Sequence, residues 1–154
     1  MGSHSPSISI ESHSPRAWQQ HGAGDKPPGA LREFLSAGTL VAAARITARR
    51  FPYREAIRIG DEAVDHITLD DSTRRLAGHL RARGTRVGSR MVIAGPNSVS
   101  FVFAYLAAVR AGAAVTLASP MLQPTELTKL LDETQPVMAI VSSDRDEQLN
   151  GHPT

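Results

Sequence analysis

Histidine and carboxylate side chains are the groups in this sequence that could do acid–base chemistry. The 154-residue chain has six histidines and 15 acidic residues, but no cysteine. A Ser-His-Asp arrangement would have to use His66 or His79, and a carboxylate pair would be Asp70 and Asp71. Adjacent positions on a helix do not face one another, and His79 is predicted at a helix surface. We therefore predict no catalytic residue, and interpret Asp70 and Asp71 as charges at a helix N-terminus.

Metal and phosphate ligands are also poorly represented. His4, His13 and His21 lie near the N-terminus without carboxylates or thiolates at ligand spacing, so we predict no metal site. Gly22-x-Gly24 follows no strand and lacks the third glycine of a dinucleotide-binding turn. The sequence thus predicts no cofactor-binding residue in this chain.

Arginine supplies nearly all of the positive charge, and the formal net charge is +2. The arginines form two groups: Arg45, Arg49, Arg50 and Arg54, then Arg74, Arg75, Arg81, Arg83, Arg86 and Arg90. Acidic residues are interspersed, and no aromatic residues alternate with the arginines to stack bases. Solvated helix faces are therefore predicted, and nucleic acid is not a predicted partner.

One long apolar stretch, from Val99 to Ser119, contains a single charge at Arg110. Ala111-Gly112 interrupts the stretch where a helix should end, and each half is too short to cross a bilayer. We predict a buried helix followed by a buried strand, and no membrane span. The absence of cysteine and of an apolar leader segment predicts a cytoplasmic protein.

Composition divides the chain into three parts. Residues 1–36 are predicted to form a disordered tail rich in serine, histidine and proline, in which Ser-His-Ser-Pro occurs at 3–6 and again at 12–15. Residues 37–142 are predicted to form an α/β domain. Residues 143–154 are predicted to be a polar tail or a linker.

Within the domain, helix and strand patterns alternate. Thr39 is predicted to cap a helix that Pro52 ends. Strands are predicted at 55–59 and 64–67, and Thr68-x-x-Asp71 is predicted to be a capping box that opens a helix ending at Gly84. Strands at 91–94, 113–118 and 137–141 then alternate with helices at 98–110 and from Pro124. This order predicts an α/β three-layer sandwich with a mostly parallel sheet of βαβαβ units.

Six segments, in order and at matching spacing, are similar to the motifs of one protein family. They are Arg50 to Ile57 (R-x-P-D-R-x-A-[LIV]), Ile67 to Leu80 (L-T-Y-x-E-L…L-A-x-x-L), Gly84 to Ile93 (G-V-x-x-G-D-R-V-A-[IL]), Pro96 to Ser98 (P-N-S), Tyr105 to Ala113 (Y-L-A-x-L-R-A-G-A) and Pro120 to Leu127 (N-P-x-L-x-x-x-E-L). The chain resembles the N-terminal portion of the adenylate-forming (AMP-binding, acyl-CoA synthetase) superfamily. The resemblance implies that the chain forms an incomplete first subdomain of such an enzyme.

The resemblance implies an enzyme that condenses a carboxylic acid with ATP to an acyl-adenylate and then transfers the acyl group to a thiol. That thiol belongs to coenzyme A or to a carrier-protein pantetheine, so ATP, Mg²⁺ and coenzyme A are implied for the full-length family member. The family's phosphate loop, T-S-G-T-T-G-x-P-K, has no counterpart here. Lys129 has no family motif around it and is not the family's catalytic lysine. We therefore expect this chain alone to be inactive.

Two alternatives stay open at this point. The chain could be a non-catalytic assembly module that exposes an apolar surface or a sheet edge, with the rest of the enzyme or a second copy as its partner. It could also be an unrelated nucleotide-binding domain of the flavodoxin-like kind. The sequence does not identify the acid that the parent enzyme would activate.

Overall fold

The structure, a computed structural model, describes residues 38–143. Its elements are α1 (Leu40–Arg50), β1 (Glu55–Ile59), β2 (Glu62–Asp65), α2 (His66–Ala82), β3 (Arg90–Ala94), α3 (Val99–Ala111), β4 (Ala114–Ala118), α4 (Pro124–Thr134) and β5 (Met138–Val141). The tail predicted at 1–36, with its three histidines, and the polar residues from 144 onward lie outside the described residues.

The start of α1 agrees with the sequence prediction and the start of α2 does not. Thr39 Oγ1 accepts a hydrogen bond from the backbone N–H of Ala42 at 3.1 Å, which caps α1. The capping box predicted at Thr68 is wrong, because α2 already begins at His66 and its N-cap is Asp65. Asp65 Oδ1 accepts from the backbone N–H of Thr68 at 2.8 Å, so Thr68 is the residue that is capped.

The hairpin that precedes α2 is tighter than predicted. Only Gly60 and Asp61 separate β1 from β2, and Gly60 has a φ of +59° that suits a two-residue hairpin turn. This turn places Ile59 opposite Glu62, so the second strand is Glu62–Asp65 and the strand predicted at 64–67 is wrong by two residues. The two strands form a separate antiparallel sheet.

A parallel three-stranded sheet with the order β4-β3-β5 forms the centre of the domain. Side chains of β3 alternate between its faces. Met91 and Ile93 pack with α2 and α3, whereas Val92 and Ala94 pack with Leu127 on α4. The sheet therefore has helices on both faces, and the predicted three-layer α/β architecture is confirmed.

Small side chains let α2 and α3 approach each other closely. Ala77 on α2 and Ala107 and Ala108 on α3 are completely buried in the same cluster. Helix α3 ends at Gly112, whose φ of +95° is the left-handed conformation that glycine adopts without strain. The predicted order of helix and strand is confirmed, but the strand is not buried as predicted, because β4 lies at the edge of the sheet with Ala114 and Leu117 exposed. No helix within residues 38–143 has the length and apolarity needed to cross a membrane.

Candidate functional site

A cavity lies at the carboxyl ends of β3 and β5, beside the N-terminus of α3. We name it the sheet-edge cleft; its lining includes Gly95, Pro96, Ser98, Ser100, Phe101 and Ser142. Open α/β sheets bind ligands in the crevice outside the carboxyl ends of their strands, so this is the expected position for a site. The P-N-S segment identified in the sequence forms one of its walls.

Close backbone packing forms the floor of the sheet-edge cleft. The Ser142 N–H donates to the Ala94 carbonyl at 3.0 Å, which carries the β3–β5 pairing one step past the strands. A Cβ at Gly95 would lie 3.2 Å from Ser142 Cβ, so a side chain there would press on Ser142. On the other wall, Ser98 Oγ accepts from the Phe101 N–H at 3.1 Å and caps α3.

The lining of the sheet-edge cleft does not fit a nucleoside triphosphate. Its volume is about 130 Å³, whereas ligand pockets usually measure roughly 300–1,000 Å³. Its polar side chains are serine hydroxyls, and no arginine or lysine lines it to neutralise phosphate. Within residues 38–143 no group of three histidine, aspartate or glutamate side chains could hold a metal ion.

The candidate catalytic residues from the sequence do not come together. His66 is half-buried at the start of α2, and His79 is exposed near the end of the same helix. Asp70 and Asp71 bind different partners: Asp70 pairs with Arg110, while Asp71 pairs with Arg74 and Arg75. No Ser-His-Asp relay or shared-proton carboxylate pair is therefore formed by these residues.

The arginine partners change the interpretation of the two aspartates. Both lie in the second turn of α2, because that helix starts earlier than predicted, so neither is a first-turn charge. Hydrogen bonds from Arg75 and then Arg74 lower the pKa of Asp71 below its ordinary value.

Lys129 is exposed on α4, with its Nζ 3.8 Å from Glu133 Oε1. These contacts are those of helix surfaces.

Sequence reasoning missed the ion pair between Arg110 and Asp70. Arg110 Nη2 lies 2.5 Å from Asp70 Oδ1, and the two side chains are only 12% and 21% exposed. The pair joins α3 to α2 across 40 positions of sequence. A single charge within an otherwise apolar helix was the available signal, since a charge that is buried requires a partner.

Comparison with known proteins identifies the family. The model of the AMP-binding enzyme family matches residues 44–153, which is more than half of the chain. The chain belongs to this family. The match agrees with the family resemblance of the motifs from Arg50 onward, and the alternative of an unrelated flavodoxin-like domain is wrong.

Two curated relatives of the chain are ligases with different acids in their names. The chain is 37% identical to a rat (Rattus norvegicus) medium-chain acyl-CoA ligase over 87 residues, which is 55% of this chain and 14% of the relative. It is 35% identical to 4-coumarate–CoA ligase-like 2 from Arabidopsis thaliana over 68 residues, 44% of this chain and 12% of that protein. The chain thus spans about one seventh of these relatives.

A solved structure gives the same fold. The fatty acid AMP ligase from Legionella pneumophila superposes with a TM-score of 0.67 at 22% identity, covering 77% of this chain and 22% of that one. At this identity the likeness establishes the α/β fold alone.

Proposed function

We propose that this chain forms the N-terminal structural layer of an ATP-dependent ligase that activates a carboxylic acid as its acyl-adenylate. The main support is the match of the AMP-binding enzyme family to residues 44–153. This range includes the helices that pack on both faces of the parallel sheet. In the longer protein the acyl group would pass to coenzyme A or to a carrier-protein thiol. Because the relatives are named for different acids, the proposal is limited to the carboxylic acid class, within which fatty acids are one option.

We propose further that the chain alone does not catalyse. Its 154 residues contain no segment like the family's glycine-rich phosphate loop, whose backbone N–H groups would neutralise the triphosphate. The sheet-edge cleft has no cationic side chain that could replace that loop. ATP, Mg²⁺ and coenzyme A would bind to other parts of the longer protein. The proposed location of that protein is the cytoplasm.

An ATP–pyrophosphate exchange assay tests the inactivity. The purified 154-residue chain is assayed with Mg²⁺ and a panel that includes medium-chain fatty acids and 4-coumarate. We expect exchange equal to that of a buffer blank, with an established acyl-CoA ligase as the positive control. Acid-dependent exchange above the blank would contradict the proposal.

The mass of the native product tests the place of the chain in a longer enzyme. An antibody raised against residues 38–143 captures the protein from its source for intact mass analysis. We expect a product several times heavier than 16.5 kDa. A product of 16.5 kDa would instead favour the second candidate function below.

The second candidate function is a non-catalytic assembly module. Three large apolar side chains, Leu117, Met121 and Val137, are 51%, 81% and 58% exposed. Within residues 38–143, the outer edges of β4 and β5 also have no neighbouring strand. Exposed apolar side chains beside an open sheet edge favour association, either with the rest of the enzyme or with a second copy. A strictly monomeric chain that binds no apolar dye would argue against this function.

A further inference from the structure

The guanidinium of Arg110 is only partly satisfied. Its Nη2 donates to Asp70 Oδ1 at 2.5 Å, but its Nε is buried and has no hydrogen-bond partner in the structure. A buried donor on a charged group is unfavourable when it bonds to neither protein nor water. Asp70 binds the other end of the guanidinium, so the Nε–H stays buried and without a partner.

A small cavity lies beside this guanidinium, at the junction of α1, α2 and α3. We name it the Arg110 cavity; it measures about 10 Å³. Its polar lining comes from His66, Asp70, Thr73 and Arg110, and Val41 on α1 is among its apolar walls. A buried water needs about 10–15 Å³ of such space and two to four polar partners. The Arg110 cavity therefore has the size and the chemistry for one water molecule.

The hydrogen-bonding capacities of the lining side chains are complementary to a water. The Arg110 Nε–H is a donor and the Asp70 carboxylate is an acceptor. The Thr73 hydroxyl donates to the Leu69 carbonyl at 2.7 Å, so its oxygen is left to accept. A water here would accept from Arg110 and donate to Asp70 and Thr73, with His66 as a further neighbour.

We propose that the Arg110 cavity is a hydration site, in which one buried water completes the ion pair between α2 and α3. Arg81 on α2 also donates to the backbone carbonyl of Arg110, so both the side chain and the main chain of this residue are tied to α2. Because Val41 and Ala44 line the cavity, the water would also lie against α1. The site would link α1, α2 and α3.

The direct test is a high-resolution crystal structure of the full 154-residue chain, supported by NMR magnetisation transfer from water to the Arg110 Hε. We expect an ordered water within hydrogen-bond distance of Arg110 Nε and a cross-peak that identifies a long-lived water. A second bond from Nε to Asp70 with no water in the cavity would overturn the proposal. A dry cavity with Nε unpaired would overturn it as well.

A cavity-filling substitution gives an independent test, because a hydrated cavity and a dry cavity predict different changes in the equilibrium constant for folding. Val41→Ile adds one methylene to a wall of the Arg110 cavity. If the cavity holds a water, the methylene displaces it and the equilibrium constant for folding falls, by about tenfold for one lost partner of a buried donor. If the cavity is dry, the added group fills a void and the constant stays the same or rises, which would overturn the proposal.

The matched control is Val109→Ile on α3, because Val109 is half-buried and does not line the Arg110 cavity. We expect the control to change the folding constant by less than about threefold. If Val41→Ile prevents folding, the crystal structure and the NMR measurement on the unsubstituted chain decide the question.

Discussion

Ile93 on β3 and Leu117 on β4 are paired neighbours in the parallel sheet, yet only one of them is buried. Ile93 is 2% exposed and Leu117 is 51% exposed. Paired residues of neighbouring strands point to the same face, so both lie on the side of α2 and α3. The helices cover the central strand completely, whereas the edge strand has no neighbour on its outer side within residues 38–143.

Position in the sheet, and not residue type, determines the burial of these two side chains. Met91, Val92, Ile93 and Ala94 are all at most 2% exposed, because β3 has a strand on each side and a helix layer on each face. We therefore expect the central strand to contribute more to the stability of the domain than the edge strand, and we propose that any association uses the exposed edge strand.

The largest expected effect comes from truncating the two paired side chains. Ile93→Ala should lower the free energy of unfolding by about 3 kcal/mol, because it leaves a cavity in a closed core. Leu117→Ala should lower it by less than about 1.5 kcal/mol, since half of that side chain is already in water. Urea denaturation of both variants gives the two values.

The same pair of variants separates stability from association. Leu117→Ala should reduce apolar dye binding by the folded chain, and equal losses of stability in the two variants would contradict the distinction between centre and edge.

A smaller effect is expected at the glycines that precede the two strands. Gly112 leads into β4 and Gly84 precedes β3, and both have positive φ, of +95° and +101°. A Cβ at Gly112 would lie 2.9 Å from Val87 Cγ2, whereas at Gly84 it would meet nothing within 4 Å. We expect Gly84→Ala to destabilise by about 1 kcal/mol from backbone strain, and Gly112→Ala by about 2–3 kcal/mol from strain and overlap.

Thermal unfolding of the two glycine variants measures this difference. Equal melting temperatures would show that the turn before the edge strand adapts to a methyl group as easily as the open turn does.

The smallest effect is a pH dependence at the start of α2, the helix that covers β3. Hydrogen bonds from the Thr68 side chain and backbone lower the pKa of Asp65 below its ordinary value. A lowered folded-state pKa stabilises the fold above the unfolded value of about 3.9, and this contribution is lost as the pH falls through the folded pKa. The stability advantage over Asp65→Asn should therefore be retained above about pH 5 and shrink as the pH falls through about 3.9 and below.

Asp65→Asn is a matched comparison because asparagine keeps a side-chain acceptor at the N-cap without the charge. A difference in stability that stays constant over the acid range would contradict a role for the ionised carboxylate. Asp71, whose pKa is also lowered, titrates in both proteins and cancels in the comparison.

Local signals were sufficient for most of the fold. Ser98 caps α3, Pro124 opens α4 and Gly112 ends α3, as their residue types predict, because each of these features depends on a few neighbouring residues. The errors are local too. Asp65 and Thr68 are both good caps, and the two-residue turn at Gly60 decides between them by ending β2 at Asp65.

The candidate site was less predictable. No lining residue of the sheet-edge cleft was predicted, since P-N-S was identified only as a family motif, and Ser142 reaches the cleft only through the pairing of β3 with β5. Nothing in the sequence around Asp70 indicates that its partner is Arg110, 40 positions away.

By itself, the sequence determined the family, the order of the elements and the absence of a phosphate loop from these 154 residues. The family and the order of the elements can be recognised from short motifs and from hydrophobic periodicity, both of which depend on residues close together in the sequence. Only the tertiary structure decided which side chains are covered, where Arg110 finds its counter-ion, and that a water-sized cavity remains beside it. Burial and charge pairing are set by which elements pack together, and that information is distributed over the whole chain.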